Sequence, residues 1–196
     1  MEPLILTLRM DDLSQQGFNR LREEHFPKAR NFIPAHLTLF HKLPGDRGRE
    51  ISQALKDLCH RQAPFSPTAT GLIFMGRGVG YRLESPALQS VRKRLADEWG
   101  PWLGPQDRQG FRPHVTVQNK VTPEAARELL ARLSADWQPI VARGTGLDLW
   151  RYRGGPWGAA GTFRCDGAEE NISEAVPQID LPTPLSPCVK NGRLLQ

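Results

Sequence analysis

Two segments of this chain, His36-Leu37-Thr38-Leu39 and His114-Val115-Thr116-Val117, repeat one alternation of polar and apolar residues. Each also occupies the same place in a repeated series of elements. Alternation with a period of two marks a half-buried strand. In the first series, residues 4–10 read as a strand, 13–26 as a helix opening near Ser14, and 36–41 as the motif strand. Ile51, Ala54, Leu55, Leu58 and Cys59 then share one helical face, and residues 68–75 form a strand closed by Gly76.

After the Gly76-Arg77-Gly78 turn the series restarts with a strand at 80–84. A helix follows, capped by Ser85 with Pro86 in its first turn and with Leu88, Val91 and Leu95 facing inward. The second motif strand covers 114–121, and Thr122-Pro123 opens a helix with Ala126, Leu129, Leu130 and Leu133 on one face. Strands at 146–152 and 162–165 close the series. Strand–helix–strand–helix–strand, twice over, predicts an α+β fold: two pseudo-symmetric lobes with antiparallel sheets, flanked by helices, around a central cleft. One domain is expected over residues 1–165, its halves meeting between 76 and 77.

Residues 166–196 break the pattern, because Pro177, Pro182, Pro184 and Pro187 interrupt every short apolar stretch. A flexible tail is expected there. It is acidic, with Asp166, Glu169, Glu170, Glu174 and Asp180 against Lys190 and Arg193. Residues 1–165 carry 24 basic and 16 acidic side chains. A basic body suits an anionic partner such as RNA, a nucleotide or a phosphate, although a mildly biased solvated surface has the same composition.

No apolar run approaches the ~18 to 20 residues of a membrane span, and the N-terminus lacks the basic region of a leader. Cys59, Cys165 and Cys188 are odd in number and form no Cys-x-x-Cys, so neither a disulfide framework nor a zinc site is implied. A monomer in the reduced cytoplasm is the simplest expectation.

Strand side chains turn to alternate faces. His36, Thr38 and Phe40 are therefore expected on one face, and His114, Thr116, Gln118 and Lys120 on the corresponding one. A two-fold relation between the halves would bring these faces together across a groove. Two imidazoles on opposite sides of one phosphorus can supply both the base for an attacking oxygen and the acid for a leaving one, without a metal. Threonine hydroxyls can hydrogen-bond the non-bridging oxygens. A lone His-x-Thr would mean little, since threonine is a good strand former; its recurrence in matched strands carries the argument. His25 and His60 sit near helix ends, and His41 has the opposite register to His36.

Arg112 lies two residues before His114 and could contact a phosphate. Gln118 and Lys120 could touch a nucleotide, and Phe40 could stack on a base or wall the groove. Tyr81, Arg82, Trp150 and Tyr152 belong to strands that could line it, with facing that the sequence leaves open. Gly76-x-Gly78-x-Gly80 lacks the dinucleotide-binding spacing. No Gly-x-x-x-x-Gly-Lys-Ser/Thr loop supports ATP-driven ligation, and no cluster of His, Asp and Glu suggests a metal, so no cofactor is expected.

The paired strands, each preceded by a proline (Ile33-Pro34-Ala35-His36 and Arg112-Pro113-His114), resemble the two-histidine (2H) phosphoesterase superfamily, most nearly its bacterial 2'-5' RNA ligase-like branch. The likeness spans residues 3–157, including Gln109-Gly110-Phe111-Arg112-Pro113-His114 and Leu149-Trp150-Arg151-Tyr152. It implies that His36 and His114 are catalytic and that Thr38 and Thr116 bind phosphate. It also implies hydrolysis of 2',3'-cyclic phosphate ends of RNA or of small cyclic nucleotides, with 2'-5' ligation as the reverse reaction. The alternative is an RNA- or nucleotide-binding module without turnover; intact His and Thr in both motifs favour the enzyme.

Overall fold

The computed structural model describes residues 1–168. Two antiparallel four-stranded sheets organise it. The first has the order β2-β1-β7-β8, from β1 (Leu4–Met10), β2 (Thr38–Leu43), β7 (Gly144–Arg151) and β8 (Gly158–Arg164). The second has the order β5-β4-β3-β6, from β3 (Thr68–Phe74), β4 (Val79–Glu84), β5 (His114–Gln118) and β6 (Ile140–Val141). The expected α+β architecture, with two lobes and antiparallel sheets, is what the chain forms.

The sheets are not the two halves of the chain, however. β3, the last strand of the first series, pairs with β4 and β6, while β7, from the second series, pairs with β1. The first repeat gives β3 to the second sheet and the second gives β7 and β8 to the first, so the expected division between residues 76 and 77 does not separate the lobes. The cause is local. β3 and β4 are joined by a tight turn in which Gly76 takes φ 74°, and two strands joined so closely pair with each other.

Helices α1 (Asp12–His25), α2 (Gly48–Arg61), α3 (Pro86–Trp99), the short α4 (Pro105–Arg108) and α5 (Pro123–Ala135) complete the fold. Asp11, Ser85 and Thr122 cap α1, α3 and α5, each side chain accepting from the amide three residues on. The inward stripes follow the periodicity, with Ile51, Leu55 and Leu58 on α2, Leu88, Val91 and Leu95 on α3, and Ala126 and Leu129 on α5, where the expected Leu130 and Leu133 are only half-buried. Helix α1 packs on β5, a strand of the second sheet, and Phe18 meets Tyr81 edge-on at 5.9 Å. This exchange of partners fastens the two lobes together.

Both motif strands are sheet edges, and the edges meet at one antiparallel bridge, Leu37 to Val115. Each strand carries a bulge just past its threonine. Thr7 pairs with Thr38 and Leu6 with Phe40; Gly80 pairs with Thr116 and Val79 with Gln118. In each case two residues of the motif strand oppose one step of its neighbour, which reverses the alternation. Leu39 and Phe40 are therefore both buried, as are Val117 and Gln118.

The segment after β8 departs from the expected flexible tail in its first residues. The amides of Asp166 and Gly167 donate to the carbonyls of Cys59 and Gln62, at 3.2 and 3.1 Å, at the end of α2. A Cβ on Gly167 would come within 2.5 Å of the Arg61 carbonyl carbon, so this docking requires glycine. The rest of that segment, 169–196, lies outside the described residues.

Candidate active site at the seam of the two sheets

The Leu37–Val115 bridge determines how the motifs face each other. Antiparallel pairing about that bridge sets His36 across from Thr116 and Thr38 across from His114. Leu37 and Val115 are fully buried, so the four polar side chains project from the opposite face of the seam. The two histidines occupy one diagonal of this square, about 7 to 8 Å apart by ordinary cross-strand spacing, and the two threonines occupy the other.

Each imidazole is held by the same local device. His36 Nδ1 lies 2.8 Å from the Pro34 carbonyl, and His114 Nδ1 lies 2.8 Å from the Arg112 carbonyl. A carbonyl only accepts, so Nδ1 carries the proton in both rings. In a neutral ring Nε2 is then the free lone pair. Two identical bonds, each reaching back two residues, orient two rings alike at the seam.

The surroundings of the rings differ. His36 packs against Trp157, with ring centroids 4.7 Å apart, and Trp157 against Trp150 at 6.2 Å. A cavity of about 150 Å³ opens beside it, lined by Phe32, Pro34, His36, Asp148, Trp150 and Trp157. Although His36 is only half-buried by surface area, loss of hydration lowers its pKa to about 4. The Pro34 bond opposes that shift, while the charges of Arg22, His114 and His41 add to it. On the other flank, Thr116 Oγ1 donates to Met75 Sδ at 3.8 Å. Sulfur is a weak acceptor, so this hydroxyl is readily given to a better one. Space at Gly80 is tight, since a Cβ there would lie 3.2 Å from the Val115 carbonyl and in contact with the His114 ring at 3.6 Å.

Beneath the seam lies a buried arginine absent from the expectations above. Arg22 donates to Asn31 Oδ1 (2.8 Å) and to the carbonyls of Ile33 (3.1 Å) and Thr116 (2.9 Å). Its guanidinium also lies 3.9 Å from the Phe26 ring centroid. It thus ties the approach to His36 to the backbone of the opposite motif. Burial lowers its pKa to about 10, which leaves it charged near neutrality. Its one signal in the sequence is a cation at the centre of the α1 stripe Phe18, Arg22, Phe26. Arg92 of α3 has a comparable place on the other side, donating to the carbonyls of Leu39 (2.8 Å) and Asp107 (2.5 Å).

The structure brings His36, Thr38, His114 and Thr116 together and separates several other expected residues from them. Phe40 does not face the groove. It is fully buried between Trp99, at 5.2 Å, and the Arg92 guanidinium, at 3.8 Å. Gln118 is turned inward by the equivalent bulge, and its Oε1 has no partner among the described residues. Lys120 lies beyond the end of β5 at φ 65°, exposed in a turn rather than on the expected strand. Arg112 is exposed in the loop entering β5, with its carbonyl committed to His114. Tyr81 belongs to the core, whereas Arg82 is exposed and pairs directly with His114. His41 Nδ1 lies 3.2 Å from the Asp107 carboxylate, away from the seam. Among the described residues, no group of three His, Cys, Asp or Glu side chains is placed to hold a metal ion. No helix among them is long and apolar enough to cross a membrane.

Paired His-x-Thr edge strands at the junction of two exchanged antiparallel sheets define a two-histidine phosphoesterase. The family model of the 2'-5' RNA ligase superfamily matches residues 10–156, and the chain belongs to that family. Similar crystal structures include TT0787 of Thermus thermophilus, with 16% identity, a TM-score of 0.60, and coverage of 84% of this chain and 98% of that one. E. coli LigT complexed with 3'-AMP is also similar, with 16% identity, a TM-score of 0.57, and coverage of 83% and 97%. At such identities the likeness is one of fold. No curated protein matches the sequence.

Proposed function

We propose that this chain is a metal-independent phosphodiesterase that opens 2',3'-cyclic phosphate ends of RNA or small cyclic nucleotides, with 2'-5' ligation as the reverse reaction. The observation that carries this reading is the seam: two imidazoles with free Nε2 positions on one diagonal and two hydroxyls on the other. Family membership supports phosphoester chemistry, and the similar LigT structure was obtained with 3'-AMP. The aromatic cavity beside His36 favours a nucleotide over a plain sugar phosphate, since bases stack on aromatic rings.

The two rings take separate roles in this mechanism. His36, held neutral by its lowered pKa, is the base. A water oxygen attacks phosphorus and its proton passes to His36 Nε2 as the bond from phosphorus to O3' breaks. His114 enters protonated and gives the Nε2 proton to O3', leaving a 2'-phosphate. Thr38 and Thr116 donate to the non-bridging oxygens, where negative charge is held through the transition state. Arg112, exposed in the loop that leads into His114, is assigned as a phosphate contact in this reading, so Arg112→Gln should raise KM and weaken its dependence on salt.

The test is release of inorganic phosphate from a 2',3'-cyclic nucleotide after treatment with a phosphatase that acts on monoesters alone. Binding without turnover on cyclic mononucleotides, cyclic-ended RNA and ADP-ribose cyclic phosphate would reduce the chain to a nucleotide-binding module. The acid limb of kcat/KM should fall near pH 4 rather than near the ordinary histidine value of about 6.5. The same shift acts on stability. The folded state resists protonation of His36, so its contribution is complete above pH 6.5 and is lost as pH falls toward 4. An acid limb near 6.5 would remove the assignment of His36 as base.

A further inference from the structure

The seam has two flanks related by the repeat, and they are not equally charged. Arg82 of β4 pairs with His114, one strand outward from the seam on the second sheet. Directly opposed residues present their side chains to the same face, so Arg82 stands beside His114 with Cβ atoms about 4.5 to 5.5 Å apart. The register of β1 places Arg9 correspondingly beside His36. Thr7 pairs with Thr38, and the Leu8 amide donates to the Leu37 carbonyl, so Arg9 falls opposite His36.

Arg9 is already neutralised, since its guanidinium lies 3.3 Å from the Asp148 carboxylate and is part-buried. Arg82 is exposed and has no ion pair among the described residues. On β3, the neighbour opposed to Arg82 is Gly71, which offers no side chain to engage it. Arg112, two residues before His114 in the loop entering β5, is a second exposed cation. The His36 flank instead holds the aromatic cavity of Trp150 and Trp157.

We infer that the site has a direction: the base of the terminal nucleoside lies on the His36 side, and a second phosphate, the diester just upstream in an RNA chain, lies on Arg82 beside His114. This rests on the cyclic-phosphate reading and narrows its substrate from mononucleotides to oligonucleotide ends. The reacting phosphorus sits at the seam between the histidines. Arg82 is rooted a full strand spacing, about 4.8 Å, beyond β5, and from there its planar fork reaches a neighbouring diester outside the catalytic square.

The experiment compares a 2',3'-cyclic mononucleotide with a short oligoribonucleotide that ends in the same cyclic nucleotide. The wild type should prefer the oligonucleotide in kcat/KM. Arg82→Gln should lower the oligonucleotide value about tenfold more than the mononucleotide value. It should also reduce the slope of log affinity against log salt by about 0.7, the single-strand value for one phosphate contact. Arg9→Gln, the mirror position, should leave the preference in place. Equal losses on both substrates would put Arg82 on the reacting phosphate and overturn the second-phosphate subsite, as would an unchanged preference. Anisotropy titration of the same oligonucleotide carrying a terminal 3'-phosphate decides the subsite without turnover. An inactive wild type that still loses affinity and salt slope on Arg82→Gln would sink the hydrolytic reading alone.

Discussion

Replacing either His36 or His114 by alanine should lower kcat/KM by about 10² to 10⁴, the range that positioned acid–base catalysis commonly contributes. The double variant should lose less than the product of the two, because both rings serve one phosphorus and neither completes the transfer alone. Thr38→Ala and Thr116→Ala each remove one hydrogen bond to the phosphoryl oxygens, and their losses should be smaller. Activity should survive chelator, since in the proposed mechanism both the acid and the base are imidazoles and no step uses a metal ion. Steady-state kinetics on a cyclic nucleotide measure all of this. Full activity in His36→Ala, or abolition by chelator with recovery on adding a divalent ion, would refute the mechanism.

Phe40→Ala should be among the most destabilising single changes at the seam, costing about 3 to 5 kcal/mol, as truncation of a fully buried phenylalanine does. Its ring is fully enclosed between Trp99 and the Arg92 guanidinium, so removal leaves a cavity and also strips the cation of its aromatic face. Set against a total stability of about 5 to 15 kcal/mol for an ordinary domain, that is a large share. Urea or guanidinium unfolding gives the number directly, and KM for a cyclic nucleotide should stay near the wild-type value in the molecules that remain folded. A variant of normal stability with a raised KM would return Phe40 to the groove as a stacking residue and contradict the bulge in β2.

These two predictions fall on either side of what the residue pattern alone makes legible. The square of two histidines and two threonines is visible in sequence because a strand's period of two is a property of the backbone. Once His36, Thr38, His114 and Thr116 are read as alternating with buried Leu37 and Val115, their shared facing follows. The capped helices are visible for the same reason, since Asp11, Ser85 and Thr122 act within one turn of chain. The alternation does not extend to Phe40 and Gln118, because a bulge is imposed by the register of the neighbouring strand. Nothing local to Leu39-Phe40 or Val117-Gln118 encodes the extra residue opposite β1 or β4.

The order of residues is enough to bring out the paired His-x-Thr motif, the α+β class and the family, because each rests on short-range periodicity or on a motif contained in a few residues. Which strands share a sheet is a matter of tertiary packing. The exchange of β3 and β7 between the repeats depends on contacts among segments far apart in the chain. The same holds for Arg22, whose partners Asn31, Ile33 and Thr116 come from both motifs. It holds as well for the contrast between the free Arg82 and the paired Arg9, since Asp148 reaches Arg9 only when β7 lies beside β1. Strand pairing across long loops is set by the global burial of apolar surface, and that quantity has no address in any single stretch of residues.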